Sequence, residues 1–349
     1  MQQRINAFVK LGSFLSQFSQ SGIEKKENIE FNDLFFDGFK HQIKIAQENN
    51  SWFTKDNILF SLESWSKALT TKNISTWLKN QEFNNTKSTV AIIMAGNIPL
   101  VGFHDFLAVL ISGHNVLVKQ SSNDKNLLPF LAKYLEYVEP SFKNTIEFTE
   151  KKLENYDAVI ATGSNNTARY FEHFFKEKPS IIRKNRNSVA IISGNETEKE
   201  MNALSNDVFQ YFGLGCRSVS KLYVPEGYNF DAFFNGMYSK KEIINNAKYA
   251  NNYDYNKAVY LMSEFDLLEN GFLMIKEDES YASPIATVFY EYYSDSDQLK
   301  KKLKDDADKI QCVIASGFYD EEINFGQTQH PQLWDYADGI NTLEFLANF

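Results

Sequence analysis

The chain is poor in cysteine: only two occur among its 349 residues, at positions 216 and 312. Cys312 belongs to an apolar run typical of a buried strand, whereas Cys216 follows a glycine-rich turn. Two cysteines in such different settings do not form a disulfide framework, so we expect a reducing, cytoplasmic location. No set of Cys and His residues has the spacing of a zinc site, and we predict no metal.

Positive charge is also scarce, with 36 Lys and Arg against 45 Asp and Glu and a formal net charge of −9. Nucleic-acid binding requires a basic surface, so we expect no nucleic-acid partner, although a local basic pocket can still hold a small anion. Residues 90–111 are the one segment that resembles a membrane span. Asn97, His104 and Asp105 interrupt it and would be costly in lipid, so we predict no span.

Short β-branched runs alternate with amphipathic segments after residue 88. The paired runs are residues 90–94 and 100–111, 115–118 and 126–138, 156–161 and 167–175, and 188–192 and 196–211. Strands that alternate with helices indicate parallel βαβ units, in which ligands bind at the carboxyl ends of the strands. In residues 1–87 the sequence pattern predicts several helices instead.

The pattern after Cys216 is less regular. Strand-like runs and charged helical segments alternate there, with strands predicted at residues 222–224, 259–262, 285–290 and 313–315 and helices at 239–250 and 298–309. This pattern predicts a second, smaller α/β domain.

Cys216 ends the segment Gly213-Leu-Gly-Cys216 and is followed by a strand-like run at residues 221–225. Glycines three and one residues before the thiol leave room for a ligand backbone to approach it. The segment begins like a dinucleotide-binding fingerprint but lacks the third glycine and does not follow a strand. We therefore regard Cys216 as a candidate functional residue.

Three further motifs follow predicted strands. Asn97 occupies a sharp turn with Pro99 two residues on, where its amide either points into a cleft or caps the turn. Lys119 ends a strand and precedes several hydroxyl residues, so it either holds a ribose or phosphate or is solvated. Gly163 and Ser164 start a helix, whose free amides suit an anion or an ordinary helix cap.

Together and in this order, these motifs resemble those of the aldehyde dehydrogenase superfamily. The finer likeness is to the fatty acyl-CoA reductases, the type associated with bacterial bioluminescence. It rests on FGLGCRSVSK at residues 212–221, KYANNYDYN at 248–256, YASPIA at 281–286 and WDYADG at 334–339. The resemblance covers roughly residue 89 to the C-terminus.

The resemblance implies an aldehyde-dehydrogenase-like α/β fold with a Rossmann-type parallel sheet and a smaller catalytic α/β domain. On this basis we predict a helical lead-in over residues 1–87, a nucleotide-binding domain over 88–211 and a catalytic domain over 212–318. The C-terminal segment, residues 319–349, is expected to pack back on the protein or to mediate association, which leaves homo-oligomerisation open.

The resemblance also implies roles for individual residues in NADPH-dependent reduction of a fatty acyl-CoA to the aldehyde. Cys216 is the expected nucleophile, and Asn97 with the Cys216 backbone N–H is the expected oxyanion hole. Lys119, Ser121 and Ser122 are expected at the adenosine ribose, and Gly163 and Ser164 near the pyrophosphate. An acyl-activating or acyl-transfer protein is a further candidate partner.

Two positions depart from the oxidising members of the superfamily. Arg183 stands about where those members carry the Glu that activates water, which favours reduction of a thioester. The basic group Arg183, Lys184 and Arg186 either contacts coenzyme phosphates or is structural. Ser122 stands where NAD-preferring members often carry a Glu that would repel a 2′-phosphate, so NADPH is favoured over NADH, although Asp124 lies close by.

Two alternatives remain open from the sequence. One is an acyl transferase or thioesterase that uses Cys216 without a nicotinamide cofactor. The other is a non-catalytic, partner-binding subunit with the same fold, for which Cys216 and Asn97 would be dispensable. His330 is a candidate for the substrate entrance, and aromatic residues of the second domain are candidates for an apolar tunnel: Phe230, Phe233, Phe234, Tyr238, Tyr281 and Phe289.

Overall fold

The computed structural model describes residues 1–84 and 86–348. The chain forms two compact units, one comprising Met1–Lys184 and Gln332–Phe349 and the other Asn185–Pro331. The chain therefore leaves the first unit well before residue 211, where we placed the domain boundary. The reason is that the strand at Asn187–Ile191 pairs with strands of the second unit on both of its sides.

The first unit begins with amphipathic helices and a short hairpin. Helix α1 buries Phe8, Leu11, Phe14 and Leu15, whose spacing of three and four residues places them on one face. The elements of this part are α1 (Gln2–Leu15), β1 (Phe18–Ser19), β2 (Gly22–Ile23), α2 (Asn32–Asn49), α3 (Lys55–Ala68) and α4 (Thr71–Trp77). The predicted helical lead-in is thus observed.

A parallel sheet forms the centre of the first unit, with the strand order β5-β4-β3-β6-β7. Its strands are apolar on both faces because helices cover both sides; Val90 and Ile92 face one core cluster and Ala91 faces another. The elements are β3 (Thr89–Ile93), α5 (Phe103–Ser112), β4 (Asn115–Lys119), α6 (Leu127–Val138), β5 (Ile146–Phe148), β6 (Ala158–Thr162), α7 (Asn165–Phe174) and β7 (Ser180–Arg183). The strand order reverses between β3 and β6, which creates a topological switch point.

The second unit contains a mixed sheet with the strand order β10-β11-β12-β9-β8-β13, in which β10 and β11 are antiparallel and the other pairs are parallel. Helix α8 begins with a capping box between Thr197 and Glu200. The elements are β8 (Asn187–Ile191), α8 (Glu198–Phe209), β9 (Val219–Pro225), α9 (Asp231–Met237), α10 (Ala247–Met262), β10 (Leu267–Glu269), β11 (Met274–Glu277), β12 (Thr287–Tyr293), α11 (Ser296–Asp305) and β13 (Ile310–Ile314).

The strand predicted at residues 259–262 is wrong, because these residues form the last turn of α10. The segment contains Val259 and Tyr260, which favour a strand on a half-buried sheet surface, but Val259, Leu261 and Met262 are exposed here. The helix is started further upstream by Asn246, whose side chain accepts a hydrogen bond from the Tyr249 backbone N–H, and it continues through these residues.

Of the predicted C-terminal segment, only the part from Gln332 returns to the first unit, where it forms α12 (Thr342–Ala347), whereas residues 319–331 belong to the second unit. Two histidines of the α5 region hold the returning part; of the two, His104 is half-buried and His114 is buried. His104 donates to the Leu333 carbonyl at 2.8 Å and His114 to the Leu346 carbonyl at 3.1 Å. Burial lowers the pKa of both imidazoles. The observed packing of residues 332–349 assigns these histidines a structural role.

A buried ion pair joins the end of β7 to α5. The Arg183 guanidinium bonds the Asp105 carboxylate, and both side chains are at most 7% exposed. Arg183 Nη2 also donates to Thr342 Oγ1 of α12 at 3.0 Å. Arg183 and Asp105 thus connect β7 to α5, and the bond to Thr342 connects both to α12.

The turn after β3 is held by a second buried carboxylate. Leu100 adopts a left-handed backbone with φ of 58°, which is costly for a residue other than glycine. Its N–H donates to Asp124 Oδ2 at 2.9 Å, and Asp124 is 8% exposed. Burial raises the pKa of Asp124 to about 6. The turn that carries Asn97 is therefore fixed from inside the first unit.

We expect Arg183→Met to lower the free energy of unfolding by about 3–5 kcal/mol, because it leaves the Asp105 carboxylate buried without its partner. Adding Asp105→Leu should recover most of the loss, since the buried charge is then removed. Lys184→Met is the matched control and should change stability by about 1 kcal/mol or less, because Lys184 pairs with Glu172 at the surface. Urea unfolding measures all three, and equal losses for Arg183→Met and Lys184→Met would contradict this account.

Asp124→Asn should change how stability depends on pH. Because the folded state raises the Asp124 pKa, this carboxyl stabilises the fold fully below about pH 4 and loses that contribution as pH rises through about 6. The shift from 3.8 to about 6 corresponds to about 3 kcal/mol. The stability of the native protein relative to the variant should fall by that order between about pH 4 and pH 7 in urea unfolding. A difference that is constant with pH would refute the burial of an ionisable carboxyl here.

Candidate active site

Cys216 lies in the second unit, between the end of α8 and the start of β9. Its side chain is exposed, whereas Cys312 is buried in β13. The Ser188 hydroxyl donates to the Cys216 backbone carbonyl at 3.0 Å and so ties this loop to β8. The predictions of a turn at Cys216 and of a buried strand at Cys312 are confirmed.

The chain reaches Cys216 through a strained turn. Three successive residues, Tyr211, Phe212 and Gly213, have φ values of 54°, 60° and 74°. The left-handed region suits glycine but costs a residue with a Cβ about 1–3 kcal/mol. Tyr211 and Phe212 are buried, and the Phe212 ring packs at 6.1 Å from the ring of Tyr249. Burial of these aromatic side chains therefore offsets the backbone strain that turns the chain out of α8.

Asp207 is a residue of this region that sequence reasoning did not assign to the site. It is fully buried, and its carboxylate accepts bonds from Thr328 N at 3.0 Å, Thr328 Oγ1 at 2.8 Å and Gly326 N at 2.5 Å. Burial raises the Asp207 pKa, and these bonds act in the opposite direction. A signal was present, since Asp207 follows Leu204 by three residues and so falls on the apolar face of α8.

The segment that Asp207 anchors lies beside the residues after Cys216. Arg217 Nε donates to the Thr328 carbonyl at 2.8 Å, and Gln329 Nε2 reaches Ser218 Oγ at 3.5 Å. His330, a predicted candidate for the substrate entrance, is the next residue and its N–H donates to the Gln327 carbonyl. Asp207 is accordingly a positioning residue for the segment that flanks the cysteine loop.

The remaining predicted site residues lie in the first unit, at the carboxyl ends of parallel strands on either side of the switch point. Asn97 follows β3 and is exposed. A Cβ on Gly96 would lie 2.5 Å from Ser121 Oγ, so the turn after β3 packs directly against the loop after β4. Parallel α/β sheets bind their ligands at this edge.

Lys119 and the serines after it extend from β4. Lys119 Nζ donates to the Lys151 carbonyl at 3.1 Å, and an ammonium has two more hydrogens to donate. Ser122 is exposed, whereas Ser121 is half-buried and its hydroxyl accepts from Asn123 N at 3.3 Å. Asp124 is buried against the turn after β3 and does not present its carboxylate beside Ser122.

Gly163 and Ser164 connect β6 to α7. Ser164 caps the helix, since its hydroxyl accepts from Thr167 N at 3.3 Å. A Cβ on Gly163 would approach the Thr167 side chain to 3.0 Å, so glycine permits the close packing of α7 against the strand end. Ser164 is therefore an ordinary helix cap. The first backbone amides of α7 still lie at the switch point.

The basic group at residues 183–186 has structural partners. Arg183 is buried with Asp105, Lys184 Nζ bonds Glu172 at 2.7 Å, and Arg186 donates to the Ala307 carbonyl at 3.2 Å. The hypothesis that Arg183 contacts coenzyme phosphates is wrong, because a guanidinium enclosed with a carboxylate has no access to a ligand.

A cavity of about 250 Å³ lies in the second unit, with Gly213 and Leu214 of the cysteine loop in its wall. The aromatic residues that line it are Phe209, Phe212 and Tyr249. None of the aromatic residues predicted to line a tunnel lines this cavity. Phe230, Phe233 and Phe289 are buried elsewhere in the second unit, and Tyr238 is exposed.

Within residues 1–84 and 86–348, no group of three or more His, Cys, Asp or Glu side chains is placed to hold a metal ion. Among the helices of these same residues, none combines the length and apolar character that a membrane span needs.

Comparison with known proteins connects this geometry to a family. A family model described as acyl-CoA reductase (LuxC) matches residues 38–237, which is more than half of the chain. No curated protein matches.

Solved structures of aldehyde dehydrogenases share the fold at low sequence identity. Aldehyde dehydrogenase 21 from Physcomitrella patens, in complex with the reaction product succinate, has a TM-score of 0.63 at 12% identity and covers 90% of this chain and 72% of its own. Aldehyde dehydrogenase KauB from Pseudomonas aeruginosa has a TM-score of 0.62 at 11% identity, covering 89% and 71%. An NAD-dependent aldehyde dehydrogenase from Sinorhizobium meliloti has a TM-score of 0.61 at 13% identity, covering 93% and 71%.

The resemblance to acyl-CoA reductases is thus confirmed as family membership, and the resemblance to aldehyde dehydrogenases is confirmed as a shared fold. The chain belongs to the acyl-CoA reductase (LuxC) family and has the aldehyde dehydrogenase fold.

Proposed function

We propose that the protein reduces an acyl-CoA thioester to the aldehyde, with NADPH as the hydride donor and Cys216 as the nucleophile. The observation that carries the proposal is the exposed thiol of Cys216 at the end of a strained turn, in a chain of the acyl-CoA reductase family. An exposed thiol is accessible to a thioester, and thiolates attack acyl groups readily.

In the first step, the Cys216 sulfur bonds the thioester carbonyl carbon, and the bond from that carbon to the coenzyme A sulfur breaks. The proton of the Cys216 thiol ends on the departing coenzyme A thiol. The acyl group is then held on the enzyme as a new thioester. We assign the Cys216 backbone N–H and the Asn97 amide as donors to the carbonyl oxygen, where negative charge develops.

A reduced nicotinamide, when bound, supplies the hydride that reduces the acyl carbon. Cys216 then leaves as a thiolate when the carbon–sulfur bond breaks, the aldehyde is released, and the thiolate takes up a proton from solvent. The residues at the switch point fit a dinucleotide in their chemistry, because Lys119 retains donor capacity and Ser122 presents an exposed hydroxyl. The related Sinorhizobium meliloti structure is described as NAD-dependent, which supports a nicotinamide.

NADPH is proposed over NADH from the residues after β4. Ser122 is exposed and uncharged, and the nearby carboxylate of Asp124 is buried and accepts the Leu100 N–H. A 2′-phosphate beside Ser122 would thus meet a hydroxyl without a neighbouring negative charge at the surface.

Cys216→Ser should abolish acyl-CoA-dependent NADPH oxidation by the purified protein, because a serine hydroxyl without a base does not displace coenzyme A. Asn97→Ala should lower kcat by about 10²–10³-fold, the usual loss for one oxyanion donor. Stopped-flow absorbance follows NADPH, and a thiol reagent follows release of coenzyme A in the same sample. Nucleotide binding to Cys216→Ser, measured by NADPH fluorescence, is the control for folding.

The same assay separates the alternatives. Release of coenzyme A without NADPH oxidation would favour a transferase or thioesterase. Activity that persists in Cys216→Ser would overturn the proposed nucleophile, and the absence of both signals in the native protein would favour the non-catalytic subunit.

Ser122→Glu should raise KM for NADPH about tenfold and leave KM for NADH within about twofold, because a carboxylate at this position repels only the 2′-phosphate. Ser122→Gln is the matched control, since it has nearly the same shape without the charge and should leave the preference for NADPH unchanged. Steady-state kinetics with each cofactor measure both. An equal effect of the two variants, or an effect on NADH as large as on NADPH, would contradict the assignment of Ser122 to the adenosine ribose.

A further inference from the structure

The cavity of the second unit lies between the end of α8, the turn before Cys216 and the loop that leads into β12. Its volume is about 250 Å³. Most of the residues that line it are apolar, among them Phe209, Phe212, Leu214, Leu273, Ile285 and Val288. None of the described residues that line it is charged. The chemistry of this wall suits a hydrocarbon.

Three hydroxyl groups of the wall form hydrogen bonds within the protein. Tyr249 Oη donates to the Phe272 carbonyl at 3.0 Å, Ser220 Oγ to the Tyr281 carbonyl at 2.7 Å and Ser283 Oγ to the Thr287 carbonyl at 2.7 Å. These hydroxyls hold the walls in place and direct their hydrogens away from a ligand. Such a cavity selects its contents by shape and length and not by hydrogen bonding.

Two residues of the wall, one on each side, have a costly backbone conformation. Phe212 and Ala286 have φ values of 60° and 63°, although neither is glycine. Strain of this kind persists where the surrounding structure enforces it, and it is concentrated at ligand sites. An unfilled apolar cavity also lowers stability, so a strained wall around one indicates a space that serves a purpose.

The cavity is close to Cys216 along the chain. Leu214 is in the wall and lies two residues before the cysteine, so their Cα atoms are no more than about 8 Å apart. The loop that carries Cys216 therefore also forms part of the cavity wall.

We propose that this cavity receives the hydrocarbon chain of the acyl group carried by Cys216 and sets the chain length that the enzyme accepts. The assignment rests on the proposed function for its acyl substrate. Val288 of β12 is the specificity-determining residue that we single out, because it is 1% exposed, lines the cavity and lies on a regular strand.

Val288→Phe should shorten the cavity. We expect kcat/KM for dodecanoyl-CoA to fall about tenfold or more and that for butyryl-CoA to stay within about twofold, because only the long chain reaches the new ring. Val313→Phe is the matched control: it makes the same change on β13 of the same unit, outside the cavity wall, and should leave the ratio of the two substrates unchanged. Leu273→Ala enlarges the cavity and should shift the ratio towards the longer chain, which provides a test if Val288→Phe does not fold.

A binding measurement separates this assignment from the proposed reaction. Dodecanoate should displace a fluorescent fatty acid from Cys216→Ser, and Val288→Phe in that background should weaken the displacement about tenfold while Val313→Phe does not. If no acyl-CoA is reduced but this pattern of binding is found, the proposed reaction fails and the cavity assignment stands. If acyl-CoAs are reduced but Val288→Phe, Val313→Phe and Leu273→Ala all leave the chain-length ratio unchanged, the cavity assignment is overturned.

Discussion

The left-handed turn at residues 211–213 is the constraint on which the second unit depends. It ends α8 abruptly and directs the chain to Cys216, which is exposed, before β9 begins inside the sheet. The conformation is unfavourable for Tyr211 and Phe212, and it persists because their rings are buried. The Phe212 ring also lines the cavity beside the cysteine loop. Strain, aromatic burial and the exposed thiol are therefore parts of one arrangement, and none can be changed without the others.

A comparable device occurs in the first unit, where Leu100 is left-handed three residues after Asn97. In each unit, a buried carboxylate accepts backbone N–H groups next to a proposed catalytic residue: Asp124 accepts from Leu100, and Asp207 accepts from Gly326 and Thr328. Burial raises the pKa of both carboxyls, and both accept hydrogen bonds from loop residues. Short polar side chains are thus used to fix segments that an apolar core cannot hold, because loop backbone needs hydrogen-bond partners when it is buried.

The strands and helices of the first unit could be predicted because apolar runs at residues 90–94, 115–118 and 156–161 have the length and composition of strands covered on both faces. The domain boundary could not be predicted, because residues 187–191 join the second unit by pairing with strands that are distant in the sequence. The Arg183 partner could not either, since Asp105 lies 78 positions earlier in the chain. The motifs supplied the residues of the candidate site, and their roles stay predictions. The cavity was missed because its wall combines residues from separate segments, and Phe209 and Phe212 appear in the sequence as ordinary core side chains.

Arg183 bears on why the proposed chemistry is reduction and not hydrolysis. The motif resemblance predicts that Arg183 stands about where the oxidising members of the superfamily carry a carboxylate base. In the structure it is an enclosed guanidinium bonded to Asp105 and Thr342. A guanidinium stays protonated in proteins and accepts no proton, so this position cannot activate water. The ion pair also makes the position part of the core that joins β7, α5 and α12, which a return to a carboxylate would disrupt. An acyl group on Cys216 would therefore escape hydrolysis by this route and remain available to the hydride. On this proposal, an arginine buried in the core occupies the place from which the competing hydrolysis would otherwise be catalysed.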